Sequence, residues 1–310
     1  MESNNKGEKL LFSEAVKKHM VSYKKSDLQL MNYQAGFWRL EEKNKFVTME
    51  YILPISTLNA KEAVSPNLLR NYRESFLHDR ISDIKYHDYA HHLNSSQIMC
   101  INFFFPFWYE RKLDIVINAL GLELFSHEQI DYDGVCFEKE STIDKNQHSR
   151  TATSFDFYIP IISDKPYLKR SIYFEIKYCE RNFGIKDIND HNIGLYNRVY
   201  KKHAERVLSP VLCFPEAFLS NYQIARNLIH IDAENNDYLV LIYPSQNEEI
   251  ANQCSTAKSF YLKECNVDYL IVETWEDLFN NIFSNIGQNE ALIAQMDAFY
   301  QKYLNIPMML

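Results

Sequence analysis

Two oppositely charged side chains occur two positions apart inside a stretch that otherwise has the pattern of a buried strand. The stretch RSIYFEIKYCE begins at Arg170 and contains Glu175 and Lys177. Because residues i and i+2 of a strand project from the same face, we expect the carboxylate and the ammonium group to lie side by side. The opposite face is apolar and consists of Ile172, Phe174, Ile176 and Tyr178.

A second acid occupies the middle of the preceding strand-like stretch, TSFDFYIP. The strand period places Asp156 on one face, and the other face consists of Phe155, Phe157 and Ile159. If the two strands pair as a hairpin, Asp156 lies beside Glu175 and Lys177. Two carboxylates so close repel each other unless a cation lies between them, and carboxylate oxygens are ligands that Mg²⁺ prefers. The pattern indicates a Mg²⁺ site, and the alternative is a solvent-facing Glu–Lys pair with an unrelated aspartate.

The composition is that of a folded globular protein, with 46% hydrophobic and 14% aromatic residues among 310. The sequence contains neither GxGxxG nor GxxxxGK[ST], and no GxSxG, so common nucleotide-binding and serine-hydrolase signatures are absent. The six cysteines form no CxxC pair, which favours reduced thiols. Because no apolar run has the length of a membrane helix and the N-terminus is polar, we expect a soluble, cytoplasmic protein without a membrane partner.

The charge is unevenly distributed along the chain. The formal net charge is −8 at pH 7, but between positions 165 and 206 ten Lys and Arg residues stand against five Asp and Glu. A basic segment in an acidic protein suits a phosphate-binding cleft. Lys201 and Lys202 lie there on a predicted basic helix, RVYKKHAER, which could follow a nucleic-acid backbone. An ordinary solvent-exposed helix face explains the same pattern.

The first part of the chain is predicted to be mainly helical. Residues 1–90 give a helix, a strand, and a further helix that begins at the first serine of SPNLLRNYRESFLHDRI. In NSSQIMCINFFFP we predict a buried helix that Asn94, Ser95 or Ser96 caps and Pro106 ends. The next helix, WYERKLDIVINALG, is predicted to stop at its glycine.

Strands dominate the next part of the predicted order. Three follow in succession, DGVCFEKES, TATSFDFYIPII and RSIYFEIKYCE. A long polar helix, DINDHNIGLYNRVYKKHAERV, and a second helix, PEAFLSNYQIARNLIHI, come next. The strands DYLVLIYPS and VDYLIVETW and a closing helix, EALIAQMDAFYQKYL, complete a mixed α/β order.

Asp156, followed after 18 residues by Glu175-Ile176-Lys177, resembles the PD-(D/E)XK nuclease superfamily, also called restriction-endonuclease-like. Its core has a helix, a three-stranded meander with the acid on the second strand and (D/E)xK on the third, then a helix and a strand. The order predicted above is the same. The resemblance implies an α/β (mixed α+β) fold with a central mixed sheet flanked by helices. It implies a nuclease-like domain over residues 91–310 and an N-terminal helical and strand extension, residues 1–90, packed on that core.

A narrower resemblance rests on several further stretches. HLNSSQIMCINFFFPF, the dipeptide Phe137-Glu138, TSFDFYI, YFEIKYCERNFG and the later YQIARN are similar to a bacterial group of restriction-endonuclease-like proteins. That group carries an SSQ…N-F-P helix ahead of its nuclease core. The helix and the core strands therefore correspond to one family pattern over roughly residues 85–230.

The resemblance also implies roles for individual residues. Asp156 and Glu175 would bind Mg²⁺, for which Mn²⁺ can substitute, and the Ile176 carbonyl would be a third ligand. Lys177 would position the attacking water or stabilise the phosphate at the transition state. Gln97 matches a place where relatives carry an acid or amide beside the metal ligands, although a buried structural amide is the alternative there.

The function that the resemblance implies is a Mg²⁺-dependent endonuclease acting on DNA, restriction-like, in defence or repair. Arg181, Lys201 and Lys202 are the predicted nucleic-acid contacts, and Glu138 and Gln223 are further site candidates. Two sites on a homodimer would suit double-strand cleavage.

Two other functions stay open at this point. One is a catalytically inactive nucleic-acid-binding protein of the same fold. The other is a zinc hydrolase built on His87 and His91, whose spacing would place them on one face of a helix, although there is no HExxH and no third ligand.

Overall fold

Two β-sheets organise the chain, in a computed structural model that describes residues 11–40, 45–54, 64–145, 152–164 and 169–307. The smaller sheet is a two-stranded hairpin, and the larger sheet has six strands. The strands in chain order are β1 (Gly36–Leu40), β2 (Lys45–Met49), β3 (Glu128–Ile130), β4 (Cys136–Glu140), β5 (Ser154–Ser163), β6 (Lys169–Ile176), β7 (Tyr238–Tyr243) and β8 (Leu270–Thr274).

The large sheet is mixed, with both antiparallel and parallel neighbours. β5 pairs antiparallel with β6, and its other edge pairs with β4 at one end and β3 at the other. β6, β7 and β8 are parallel neighbours. The predicted three-stranded meander, β4–β5–β6, and the two later strands are confirmed. Sequence reasoning missed β1 and β3, and β3 is only three residues long, which is too short to show a period.

Helices cover both faces of the large sheet. The described residues form eleven: α1 (Phe12–Ser26), α2 (Arg70–Asp79), α3 (Ser96–Tyr109), α4 (Leu113–Ala119), α5 (Asp190–Leu195), α6 (Lys201–Val207), α7 (Pro215–Ser220), α8 (Tyr222–Leu228), α9 (Glu248–Thr256), α10 (Trp275–Asn285) and α11 (Glu290–Phe299). One core lies between the sheet and α1–α4, α10 and α11, and a second lies between the sheet and α5–α9. The predicted mixed α/β fold, a central mixed sheet flanked by helices, is confirmed.

The first core draws its residues from both sides of position 90. It contains Val16 and Met20 of α1 together with Phe103 and Phe104 of α3. The division into an extension, 1–90, and a domain, 91–310, stays a prediction. Among the described residues, no helix combines the length and the apolar character that a bilayer span requires.

Helix α3 is buried from Gln97 to Trp108, as predicted for a buried helix. Ser95 is its cap, and its side chain accepts a hydrogen bond from the backbone N–H of Ile98 at 3.4 Å. The prediction that Pro106 ends this helix is wrong, because α3 continues to Tyr109. A proline inside a helix leaves the carbonyl four residues earlier without its usual donor. That carbonyl, of Asn102, accepts a hydrogen bond of 2.8 Å from the Gln295 side chain of α11. A tertiary contact thus replaces the missing donor.

Two predicted helices differ from the observed ones at their boundaries. The helix expected from Ser65 begins only at Arg70, after a 3₁₀ turn. Leu68 and Leu69 are extended between them, and the Leu69 N–H donates to the Asn102 side chain at 2.8 Å. The helix expected over WYERKLDIVINALG is divided, because Arg111 adopts a positive φ of 54° between α3 and α4.

The predicted helix PEAFLSNYQIARNLIHI is also divided, and this break affects the site described below. α7 ends at Ser220 and α8 begins at Tyr222, with Asn221 non-helical between them. The Asn221 side chain donates to the carbonyl of Ala217 at 3.0 Å and accepts from the hydroxyl of Tyr261. Local side-chain bonds of this kind compete with a continuous helix.

The role of Gln295 gives a test of the α3 packing. Gln295→Ala leaves the buried Asn102 carbonyl without a partner, so we expect the free energy of unfolding to fall by about 1–3 kcal/mol in urea denaturation. In a Pro106→Ala background the backbone N–H at position 106 can donate to the same carbonyl, so the same change should cost less. An equal loss of free energy of unfolding in both backgrounds would show that Gln295 does not replace the donor that Pro106 lacks.

Candidate active site

The predicted pairing of charges on β6 is confirmed. Glu175 and Lys177 are almost completely buried, and Lys177 Nζ lies 2.7 Å from Glu175 Oε1. Lys177 comes directly after β6 and continues its pairing, because its N–H donates to the carbonyl of Ile242 at 2.8 Å. The apolar residues that alternate with this pair pack into the first core: Ile172, Phe174, Ile176 and Tyr178.

The alternation predicted for β5 fails at Asp156. Phe157 packs in the first core, where its ring stacks on Phe104. Phe155 was predicted on the same face, but it packs in the second core, with its ring centroid 4.8 Å from that of His230. The chain therefore changes face at Asp156, which lies between two aromatic anchors on opposite sides of the sheet.

A side-chain hydrogen bond accounts for this change of face. The ladder between β5 and β6 begins at the pair Phe157 and Phe174, and Asp156 lies outside it. In its place the backbone N–H of Ile176 donates to Asp156 Oδ2 at 2.6 Å. On the other side of β5, the ladder with β4 skips Glu138, which has a positive φ of 53°. The carboxylate of Asp156 is thus held at the residue between Glu175 and Lys177.

The two acids and the lysine lie close enough for their charges to act on one another. Burial raises the pKa of Asp156 well above its usual value, and the neighbouring Glu175 and Glu138 carboxylates raise it further. Burial by itself would lower the pKa of Lys177, but Glu175 and other nearby carboxylates outweigh it and raise this pKa to about 12. The lysine is therefore a fixed cation at neutral pH, and Asp156 is a carboxyl group whose negative charge its surroundings disfavour.

A cleft of about 360 Å³ opens above these residues. Its lining includes Asp156 of β5 together with Glu175, Ile176 and Lys177 at the carboxyl end of β6. Glu138 of β4 and the polar residues of α8 line other parts of it. Crevices at the carboxyl ends of parallel strands are common ligand sites in α/β proteins.

Gln97 lies behind the cleft, next to Glu138. Its side chain is buried, donates to Glu138 Oε1 at 2.6 Å, and accepts from the backbone N–H of His87 at 2.9 Å. Ser154 Oγ donates to the other Glu138 oxygen, also at 2.6 Å. Both oxygens of Glu138 are therefore bonded to the protein, and Gln97 reaches the cleft only through this carboxylate.

Helix α8 contributes one predicted residue and one that sequence reasoning missed. Gln223 donates to Glu175 Oε1 at 2.8 Å and lines the cleft. Arg226 also lines it, with its guanidinium bonded to Asp144 at 2.8 Å and to Thr153 at 2.7 Å. Residues three apart share a helix face, so the spacing of Gln and Arg in YQIARN was the signal that could have identified Arg226.

The predicted nucleic-acid contacts lie outside the lining of this cleft. Arg181 is exposed and lines a neighbouring groove with Phe12 and Glu248. Lys201 and Lys202 are exposed on α6, and the Lys201 ammonium lies 3.9 Å from Glu205. Among the described residues, the lysines and arginines that line the cleft are Lys177 and Arg226.

The zinc alternative required His87 and His91 to lie on one face of a helix, and the structure has no helix there. His87 and His91 lie in a non-helical segment with a turn, not on one helix face. His87 Nε2 is 3.6 Å from Glu138, and His91 is buried. Within the described ranges no three His, Cys, Asp or Glu side chains are grouped to hold a metal ion. Two carboxylates completed by a backbone carbonyl and water are a different donor set, the kind that Mg²⁺ uses.

Comparison with known families agrees with this architecture. A family model described as Restriction Endonuclease associating with ARP matches residues 19–304, nearly the whole chain. No curated protein and no solved structure gives a significant match. The mixed six-stranded sheet with helices on both faces is consistent with a restriction-endonuclease-like α+β fold. The chain therefore belongs to the family Restriction Endonuclease associating with ARP.

Proposed function

We propose that this chain is a Mg²⁺-dependent endonuclease that hydrolyses phosphodiester bonds of DNA, with a restriction-like role in defence or repair. One observation carries the proposal: the hydrogen bond from the Ile176 N–H holds Asp156 beside Glu175 and Lys177 at the floor of a cleft. Family membership supports nuclease chemistry. The D…ExK spacing, which the fold brings together, supports the PD-(D/E)XK assignment.

The carboxylates at the floor of the cleft fit a divalent cation. Asp156 Oδ2 and Glu175 Oε1 are bonded to protein donors, whereas their second oxygens have no such bond among the described residues. Burial, and after it the nearby Glu175 and Glu138 carboxylates, raises the pKa of Asp156, so that its negative charge is disfavoured there and a cation would offset this cost. We propose Asp156, Glu175 and the Ile176 carbonyl as the residues that would hold Mg²⁺, or Mn²⁺ as a substitute. Bound there, the ion would supply charge neutralisation at the phosphate and a lowered pKa for the attacking water.

Lys177 acts in this proposal as a cation and not as a base. With a pKa of about 12 it keeps its proton at neutral pH, so it cannot accept one from water. Its ammonium group is held 2.7 Å from Glu175, where it can donate hydrogen bonds to the attacking water or to a phosphate oxygen. Fixed charges of this kind stabilise the transition state because they need no reorganisation.

Other residues position this group or contact the substrate. Gln97 fixes Glu138, and Gln223 fixes Glu175, through the hydrogen bonds described above. We propose Arg181, Lys201 and Lys202 as backbone contacts away from the scissile phosphate, where they would add to affinity in a salt-dependent manner. A homodimer would present two such sites to the two strands of a duplex.

The cleavage reaction itself gives the first test of this proposal. Asp156→Ala and Lys177→Ala should each reduce the rate at least about a thousandfold, since each removes several kcal/mol of transition-state stabilisation. The assay uses plasmid, linear and single-stranded DNA, and RNA, with Mg²⁺ or Mn²⁺. Asp164→Ala, just beyond β5, and Lys169→Ala, at the far end of β6, are exposed controls that should cut like wild type. Wild-type rates in both site variants would exclude this assignment of the active site.

The raised pKa of Asp156 predicts that the free energy of unfolding of the metal-free protein depends on pH. Because its folded pKa is raised, the stabilisation that it contributes is complete below its unfolded pKa of about 4 and is lost as the pH rises through the folded value. Without metal, the free energy of unfolding should therefore fall from pH 4 towards neutral. Asp156→Asn should lessen this fall, because the amide oxygen can still accept from Ile176 and carries no charge.

The same variant tests for metal binding without any measurement of activity. At pH 7, Mg²⁺ at ten times its dissociation constant should stabilise wild type by about 1.4 kcal/mol and Asp156→Asn much less. Asp164→Asn is the matched control and should behave as wild type does. Equal stabilisation of all three proteins by Mg²⁺ would place the ion elsewhere.

A further inference from the structure

An exposed isoleucine stands at the rim of the candidate active site. Ile185 lines the cleft and is 75% exposed. It belongs to the segment that leads away from Lys177 towards α5. A single exposed apolar side chain is ordinary on a protein surface, so its exposure alone indicates nothing. Two further features distinguish Ile185.

The backbone on both sides of Ile185 is fixed. Gly184 donates its N–H to Gln223 Oε1 at 2.9 Å, and its carbonyl accepts from the Gln223 N–H at 2.8 Å. On the other side, the N–H of Lys186 donates to the carbonyl of Leu219 at 2.9 Å. The side chain of Ile185 therefore projects into solvent from a backbone that hydrogen bonds hold on both sides.

The same anchor reaches the charged residues at the floor of the cleft. The amide of Gln223 accepts from Gly184 with its oxygen and donates to Glu175 with its nitrogen, at 2.9 and 2.8 Å. One side chain thus fixes Ile185 relative to Glu175. An apolar group held in this way at the rim of a charged cleft suits a ligand with a phosphate at one end and an apolar surface next to it.

A nucleotide of a nucleic-acid strand has this combination. Its phosphate would lie near Lys177, and the face of a neighbouring base is apolar. Isoleucine is among the side chains that nucleic-acid-binding proteins insert against base steps. We propose that Ile185 is a wedge that packs on the face of a base next to the scissile phosphate and so fixes the strand over Glu175 and Lys177. This inference rests on the function proposed above.

The test compares binding of DNA with binding of a polyanion that has no bases. Fluorescence anisotropy measures the dissociation constants of a labelled oligonucleotide, single-stranded and as a duplex, with Ca²⁺ replacing Mg²⁺ to prevent cutting. Competition measures the affinity for inorganic polyphosphate. Ile185→Ala should weaken binding of the preferred DNA form about tenfold, as expected for losing most of a buried isoleucine contact, and leave polyphosphate binding unchanged.

Two further variants distinguish a wedge from a general effect. Ile185→Leu keeps the apolar volume and should retain DNA binding. Ile188→Ala removes another exposed isoleucine of the same segment, which does not line the cleft, and should bind DNA as wild type does. Urea denaturation of each variant checks that the fold is intact.

The outcomes separate this inference from the proposed function. Unchanged DNA binding by Ile185→Ala, in a wild-type protein that binds and cuts DNA, would overturn the wedge and leave the nuclease proposal standing. An equal loss on DNA and polyphosphate would also overturn it, because the effect would then not depend on bases. A wild-type protein that neither binds nor cuts nucleic acid would overturn the proposed function, and the wedge with it.

Discussion

One hydrogen bond, from the backbone N–H of Ile176 to the carboxylate of Asp156, holds the acid of β5 beside the charged pair at the end of β6. It takes the place of a main-chain bond at the point where the ladder between β5 and β6 ends. Because a side chain accepts it, β5 can turn there and place Phe155 and Phe157 in different cores. The same bond keeps Asp156 beside Glu175 and Lys177. The same bond therefore fixes both the course of β5 and the position of its carboxylate in the site.

The N-terminus of α3, one of the helices around the first core, also holds the site in place. Ser95 caps the helix, Ser96 donates to Glu180 at 2.7 Å, and Gln97 donates to Glu138. Glu180 in turn accepts from the N–H of Tyr178, just beyond the charged pair. The SSQ sequence therefore connects one helix end to the strand that precedes Asp156 and to the segment that follows Lys177. Ser95, Ser96 and Gln97 each bond to a different partner, so a substitution at each position would remove a different contact.

The helices around the second core supply the opposite wall of the cleft, where the charge of Arg226 is compensated by Asp144. Burial would raise the pKa of Asp144, but hydrogen bonds from Thr153 and the charge of Arg226 hold it below its usual value. Removing one partner of such a buried pair leaves an uncompensated charge and costs more than the pair contributes. Arg226 is therefore held in place by the fold. Gln223, one turn earlier, connects the same helix to Glu175 and to the rim.

Local sequence patterns were sufficient to predict the mixed α/β order, the buried face of β6, and the pairing of Glu175 with Lys177, because strand period and helix-end signals involve only neighbouring residues. Asp156 was identified as a candidate site residue from its spacing to Glu175 and Lys177 and from the family resemblance. Three features could not be predicted in this way: β5 changes face at Asp156, α3 continues through Pro106, and Arg226 faces the cleft. Each of these depends on a partner distant in the chain: the N–H of Ile176, the side chain of Gln295, and the carboxylate of Asp144. A local sequence pattern cannot identify such partners, because they come into contact only when the helices pack on the sheet.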